Sequence, residues 1–136
     1  MWNDMFRIIV FGFFIFNSFL STAQSISSTI QFLNSELDKN IFIERLFGDS
    51  LSTTFVIKIN DTVQTHKHEF HSETIHVLSG SAILYYNETV SNIKTGDILF
   101  IEKNNWHAVK VTSKSPLTVL SIQSPGFYGK DRIFKD

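Results

Sequence analysis

The chain has no cysteine and no concentration of charge of one sign. The absence of cysteine excludes thiolate metal ligands, thiol nucleophiles, disulfides and an N-terminal cysteine that could carry a lipid. The formal net charge is −1, and the 12 lysines and arginines are scattered from Arg7 to Lys135. The chain therefore lacks the basic cluster of a nucleic-acid-binding protein, and we expect no nucleic-acid partner. Histidine, aspartate and glutamate remain as candidate metal ligands.

The overall composition is that of one folded domain. A length of 136 residues fits a single domain, and 43% hydrophobic with 18% charged residues is ordinary for a globular protein. No stretch has the composition of a disordered segment.

The first 23 residues differ sharply from the rest. Arg7 is followed by IIVFGFFIFNSFLSTA, which carries no charge, and the apolar run over residues 8–16 is shorter than the roughly 20 residues that span a bilayer. Small residues precede Gln24 at the positions that a signal peptidase requires. We predict a signal peptide over residues 1–23, a secreted or periplasmic protein and no stable membrane span in the mature chain. An uncleaved anchor or an apolar N-terminal strand is the alternative.

Residues 24–50 are predicted to form an N-terminal arm. Ile30, Leu33, Leu37 and Ile41 follow Ser27 at helical spacing, which indicates a short helix, and IFIERLF then has the character of a strand.

Short strand-like runs fill residues 51–123. LSTTFVIKI, AILYY, ILFI, HAVKV and LTVLSI are separated by turn residues every 8 to 12 positions. This spacing predicts an all-β antiparallel sandwich or barrel. ILFI is apolar on both faces, as expected of a strand between two packed layers. Residues 124–136 are predicted to form a tail that packs on the barrel or on a second subunit.

Four residues carry the candidate chemistry. His66 and His68 are two positions apart, so an extended chain points both imidazoles to one face. Glu73 lies an odd number of residues further on, and a turn or bulge within residues 67–72 would restore the phase. His107 shares its face of HAVKV with Val109. Three imidazoles and a carboxylate, if they converge, make a site for a divalent transition metal.

These residues resemble the two motifs of the cupin family. The first motif, G(X)5HXH(X)3-4E(X)6G, is filled by His66, His68, Glu73 and Gly80. The second, G(X)5PXG(X)2H(X)3N, is similar to GDILFIEKNNWHAVKV, in which Gly96 and His107 keep their spacing.

This sequence departs from the motifs at four positions. Asn60 and Asn104 replace glycines, and asparagine is the residue that best tolerates the left-handed conformation after glycine, so we predict that both keep the turns. Glu102 and Val111 replace the proline and the final asparagine of the second motif.

The resemblance implies an antiparallel double-stranded β-helix, or jelly-roll barrel, that holds a metal on His66, His68, Glu73 and His107. It also implies a homodimer. Iron(II) is the favoured metal, although Mn(II), Ni(II), Cu(II), Co(II) and Zn(II) also accept these ligand types.

The sequence indicates a functional role less strongly for several other side chains. His71 falls in the turn before Glu73 and is predicted to be an exposed turn residue, with a hydrogen-bonding or ligand role as the alternative. His76 should leave the opposite face of its strand from Glu73 and is predicted to be structural. Cavity lining and core packing both remain open for a group of apolar and aromatic residues, Tyr85, Tyr86, Phe100 and Ile101.

The predicted function is that of an exported metal-binding cupin that acts on a small molecule, with dioxygenase-type chemistry favoured. A non-catalytic binding module is the first alternative. A sugar isomerase or epimerase is the second, and it would need basic side chains near the cavity. The candidates for that role are Lys58, Lys67, Lys103 and Lys110.

Overall fold

The computed structural model describes residues 39–136, in which ten β-strands are present and no helix. The strands are β1 Ile41–Gly48, β2 Thr53–Ile59, β3 Thr62–Lys67, β4 Ser72–Ser79, β5 Ser81–Tyr86, β6 Thr89–Lys94, β7 Ile98–Ile101, β8 His107–Val111, β9 Leu117–Ser124 and β10 Ile133–Phe134. One sheet has the order β1-β2-β9-β4-β7 and the other β10-β3-β8-β5-β6. All paired strands are antiparallel. The predicted jelly-roll class is confirmed.

The core lies between the inner faces of the two sheets. Alternate residues of each strand face inward, so Leu117 and Val119 of β9 meet Val77 of β4 and Leu84 of β5 in one cluster. Val77 is fully buried, and a side chain of this size contributes about 1.5–3 kcal/mol when it leaves water. The same inward face of β9 continues through Ser121, which is polar yet fully buried. The candidate site lies at this end of the core, where the inward face of β9 becomes polar.

Of the two asparagines at glycine positions of the motifs, one has the left-handed conformation expected there. Asn104 has a φ of 65°, in the left-handed region, as expected for a residue in a glycine position. Asn60 lies in the bend between β2 and β3, but its φ is not positive, so a left-handed conformation does not form that bend. The link between β2 and β3 is instead held from outside, because Oδ1 of Asn40 accepts hydrogen bonds from the backbone N–H groups of Asp61 and Thr62 at 2.9 and 3.3 Å.

β7 is not enclosed between two layers, and that prediction is wrong. Within residues 39–136 it pairs only with β4, at the edge of its sheet. Ile98 and Phe100 lie on its outward face and are 71% and 60% exposed, whereas Ile101 faces inward and is buried. Apolar residues on both faces of a short strand cannot distinguish an enclosed strand from an edge strand, because the strand order decides which faces are covered.

The predicted helix does not extend to Ile41, which begins β1. The remainder of that helix and the signal peptide fall in residues 1–38, outside the described residues, and stay predictions. Among residues 39–136, no helix has the length and apolar character to cross a membrane.

Candidate metal centre

The four predicted ligands come from both sheets and meet in the interior. His66 lies on β3 and is paired in register with His107 at the start of β8. His68 follows the end of β3, and Glu73 lies on β4 of the opposite sheet. Residues 68–71 form the predicted non-strand link that brings Glu73 back to the side of the histidines. All four residues are buried, with at most 5% of the surface of each residue exposed.

The side chains are close enough to share one ion. Ring nitrogens of His66, His68 and His107 lie within 4.8 Å of one another. Oε2 of Glu73 lies 3.8 Å from Nε2 of His68 and 3.8 Å from Nε2 of His107. The four predicted ligands therefore converge, as a shared metal site requires.

Backbone carbonyls orient all three imidazole rings. Nδ1 of His66 lies 2.8 Å from the carbonyl oxygen of Gln64. Nδ1 of His68 lies 2.6 Å from that of Asp131, and Nδ1 of His107 lies 3.1 Å from that of Asn105. A carbonyl can only accept, so each Nδ1 carries the proton and each Nε2 keeps a free lone pair. The Nε2 atoms of His68 and His107 are buried with no hydrogen-bond partner within the described residues. Buried acceptors without a donor suit a metal ion.

Two polar residues of β9 orient the carboxylate in the same way. Oε1 of Glu73 accepts hydrogen bonds from Oγ of Ser121 and from Nε2 of Gln123, the latter at 3.2 Å. Oε2 is left facing the histidines. Sequence reasoning missed Ser121 and Gln123, although a signal was available. They continue the inward face of LTVLSIQS, where polar residues are costly unless they have partners.

His71 is buried, and the prediction of an exposed turn residue is wrong. Its ring packs on that of His68 with centroids 4.0 Å apart, and its Nδ1 lies 2.7 Å from Oδ2 of Asp131. The Asp131 carboxylate also accepts the backbone N–H groups of Glu69, Phe70 and His71 at 2.8, 2.9 and 3.0 Å. The C-terminal tail therefore fixes the link between His68 and Glu73. His68, His71 and Asp131 form a second close group, but their hydrogen bonds make it an anchor for this link.

Burial favours the neutral form of two of the ligand histidines, His66 and His107. Burial, followed by the neighbouring His107, lowers the pKa of His66 to about 3. Burial also lowers the pKa of His107 below its ordinary value. Because metal ligation requires neutral imidazole, the site is ready for a cation at neutral pH.

Comparison with known proteins identifies the family. A family model for the cupin domain matches residues 53–123, more than half of the chain. The chain belongs to the cupin family. None of the curated proteins compared with the chain matches it.

Solved cupin-like structures share the fold at low identity. A Klebsiella pneumoniae protein with a double-stranded β-helix domain is 17% identical with a TM-score of 0.68, over 79% of this chain and 94% of that one. The Streptomyces nucleoside dehydratase Pac13 is 19% identical with a TM-score of 0.62, over 74% and 83% of the two chains. KdgF from Halomonas sp. is 15% identical with a TM-score of 0.61, over 67% and 85%. At these identities the likeness establishes the fold and not the reaction.

A cavity opens beside the histidine cluster of this cupin. Its volume is about 60 Å³, and aliphatic side chains from both sheets form most of its wall. His66, Glu73 and His107 line one part of it together with Arg132. None of the four residues considered from sequence, Tyr85, Tyr86, Phe100 and Ile101, lines this cavity. The arrangement can hold a divalent cation next to a small, largely apolar compartment.

Proposed function

We propose that this cupin binds one divalent transition metal through His66, His68, Glu73 and His107 and acts on a small molecule in the adjoining cavity. One observation carries the proposal. The Nδ1 of each of the three imidazoles donates a hydrogen bond to a backbone carbonyl. The Nε2 lone pairs and one oxygen of Glu73 therefore remain available as ligands in a buried space. Nitrogen and carboxylate ligands without sulfur suit iron(II) and its first-row neighbours.

Dioxygenase-type chemistry is the reaction class we favour. A bound iron(II) would supply the redox chemistry of such a reaction. The chain itself contributes an aliphatic wall that excludes water, and it contributes Ser121 and Gln123, which hold the Glu73 carboxylate in one orientation. Among the described residues, the ionisable groups that line the cavity are His66, Glu73, His107 and Arg132. A reaction that needs a separate acid and base is therefore less well supported.

A binding module without catalysis is the second candidate, and the same scarcity of ionisable groups favours it. The sugar isomerase alternative is less favoured by this cavity, whose lining includes none of the lysines proposed for it, Lys58, Lys67, Lys103 and Lys110. Lys110 lines a separate pocket that also includes His107. KdgF and Pac13 share the fold, so the fold alone does not choose a chemistry.

Elemental analysis of the purified protein tests metal binding. We expect about one transition metal per chain in the wild type and strong depletion in the variants His107→Ala and His107→Gln. The matched control is His76→Ala, since His76 is a half-buried β4 histidine outside the cluster. A metal-free wild type would overturn the proposal, and so would equal metal content in the His107 and His76 variants. Circular dichroism confirms that each variant is folded.

An oxygen-uptake experiment separates the enzyme from the binding module. The protein is loaded with iron(II) without oxygen and then exposed to oxygen with thiols, catechols or diketones. Uptake that requires both the iron-loaded protein and one of these compounds supports an oxygenase, whereas no uptake with any of them favours the binding module.

A further inference from the structure

Arg132 occupies a position that the metal site itself does not explain. It belongs to the C-terminal tail, between Asp131 and β10, yet its side chain lines the cavity together with His66, Glu73 and His107. Both of its neighbours are fixed. Asp131 holds the 68–71 link through its carboxylate, and Ile133 pairs with Lys67 on β3. The backbone of Arg132 is therefore held in place on both sides.

The guanidinium has no protein counter-ion within residues 39–136. Its Nε is buried and makes no hydrogen bond there, and the ion pairs present in this part of the chain do not include Arg132. The nearby Glu73 carboxylate is engaged with Ser121 and Gln123. Arg132 as a whole is half-buried, but an N–H donor that is buried without an acceptor is costly, and its Nε is such a donor. An anionic ligand would supply the missing acceptor.

The electric field around Arg132 also favours an anion. Arg132 lines the same cavity as His66 and His107, so its positive charge lies beside the two rings. A divalent metal on the histidine cluster would outweigh the single charge of Glu73. Together with Arg132 it would leave a net positive charge beside an apolar compartment, where electrostatic attraction is stronger than in water.

The residues of the cavity wall indicate the chemical character of the rest of the ligand. Ile57, Ile59, Ile75, Leu99 and Val119 present only aliphatic surface to it. Such a wall accepts an apolar body and has no partners for the hydroxyl groups of a sugar, which would lose their hydrogen bonds to water. The planar fork of arginine matches the two oxygens of a carboxylate.

We propose that Arg132 binds the carboxylate of a small organic acid whose apolar body lies in the aliphatic cavity. The proposal deepens the function proposed above and rests on it, because the metal supplies part of the positive charge. Arg132 would act as a specificity-determining residue, choosing acids over their neutral analogues.

Calorimetry with isovalerate and isovaleramide tests the proposal, because these ligands differ only in charge and in one polar group. With zinc-loaded wild type we expect isovalerate to bind at least about tenfold more tightly than the amide. Arg132→Gln should lose this preference. Lys130→Gln removes a positive charge from an exposed residue of the same tail and should keep it.

Metal content and thermal melting are measured for every variant, so that two failures can be told apart. A wild type that holds zinc but shows no carboxylate preference, or an Arg132→Gln variant that keeps the preference, overturns the role of Arg132 alone. A wild type that takes up no zinc overturns the proposed function. In that case a carboxylate preference that still depends on Arg132 supports the inference, and its absence overturns it.

Discussion

Nδ1 of His68 lies 2.6 Å from the carbonyl oxygen of Asp131, a residue 63 positions later in the chain. This contact fixes both the tautomer and the orientation of a candidate metal ligand. Asp131 uses its carboxylate at the same time to hold the N–H groups of residues 69–71 and the ring of His71. The C-terminal tail is thus part of the candidate metal centre.

Replacing Asp131 with alanine should weaken both metal binding and the fold. Three backbone N–H groups and the His71 ring lose their acceptor. We expect a loss of about 1–3 kcal/mol in the free energy of unfolding and a decrease of about 10- to 100-fold in metal affinity. Denaturant titration and competitive metal titration measure the two effects. Lys130→Ala, in the exposed part of the tail, is the control, and an Asp131→Ala variant that matches it would contradict this account.

The metal-free protein should lose stability as the pH falls below neutrality. Burial and His107 lower the pKa of His66 from its ordinary 6.5 to about 3 in the folded state. Between pH 6.5 and about 3, the imidazole of His66 is protonated in the unfolded chain but neutral in the folded protein. A fall in pH over this range therefore favours unfolding. At pH 4 the effect of His66 alone is on the order of 3 kcal/mol.

Thermal melting of the metal-free wild type and of His66→Gln, from pH 7 to pH 4, checks this prediction. The wild type should lose more stability over this range than the variant, because glutamine does not titrate. Parallel pH profiles for the two proteins would show that His66 is not the source of the dependence. The same lowered pKa values predict that the metal stays bound to a lower pH than the ordinary histidine pKa would allow.

Two glycines with positive φ should differ in their tolerance of alanine. Gly80 and Gly96 have φ values of 85° and 94°, so alanine is strained at both and should cost roughly 1–2 kcal/mol at each. A Cβ at Gly80 would also lie 2.6 Å from the carbonyl oxygen of Pro116, whereas nothing lies within 4 Å at Gly96. We expect Gly80→Ala to be clearly the more destabilising change in denaturant titration. Equal losses would mean that the backbone at Pro116 adapts without cost.

Much of the candidate metal centre could be predicted from local spacing. His66, His68 and Glu73 lie within eight positions, and a turn of the right length between two strands is enough to bring them together. His107 was predictable because the face that it shares with Val109 on β8 points inward.

The partners of these ligands could not be predicted in the same way. Ser121 approaches Glu73 because β9 lies beside β4, and this neighbour relation depends on strand order. The burial of His71 and the exposure of Phe100 also depend on what lies over each side chain, since the tail covers His71 and no strand within residues 39–136 covers Phe100. A period of two residues tells which side chains share a face, but not what lies opposite that face.

The sequence by itself determined the absence of thiol chemistry and was enough to predict the all-β class and the four candidate ligands, because these depend on residue type and on spacing within short runs and two motifs. Only the tertiary structure decided that the tail orients His68, that Arg132 enters the cavity and that the cavity wall is aliphatic. These features join residues that are far apart in the chain, and their contacts arise from the packing of one sheet on the other.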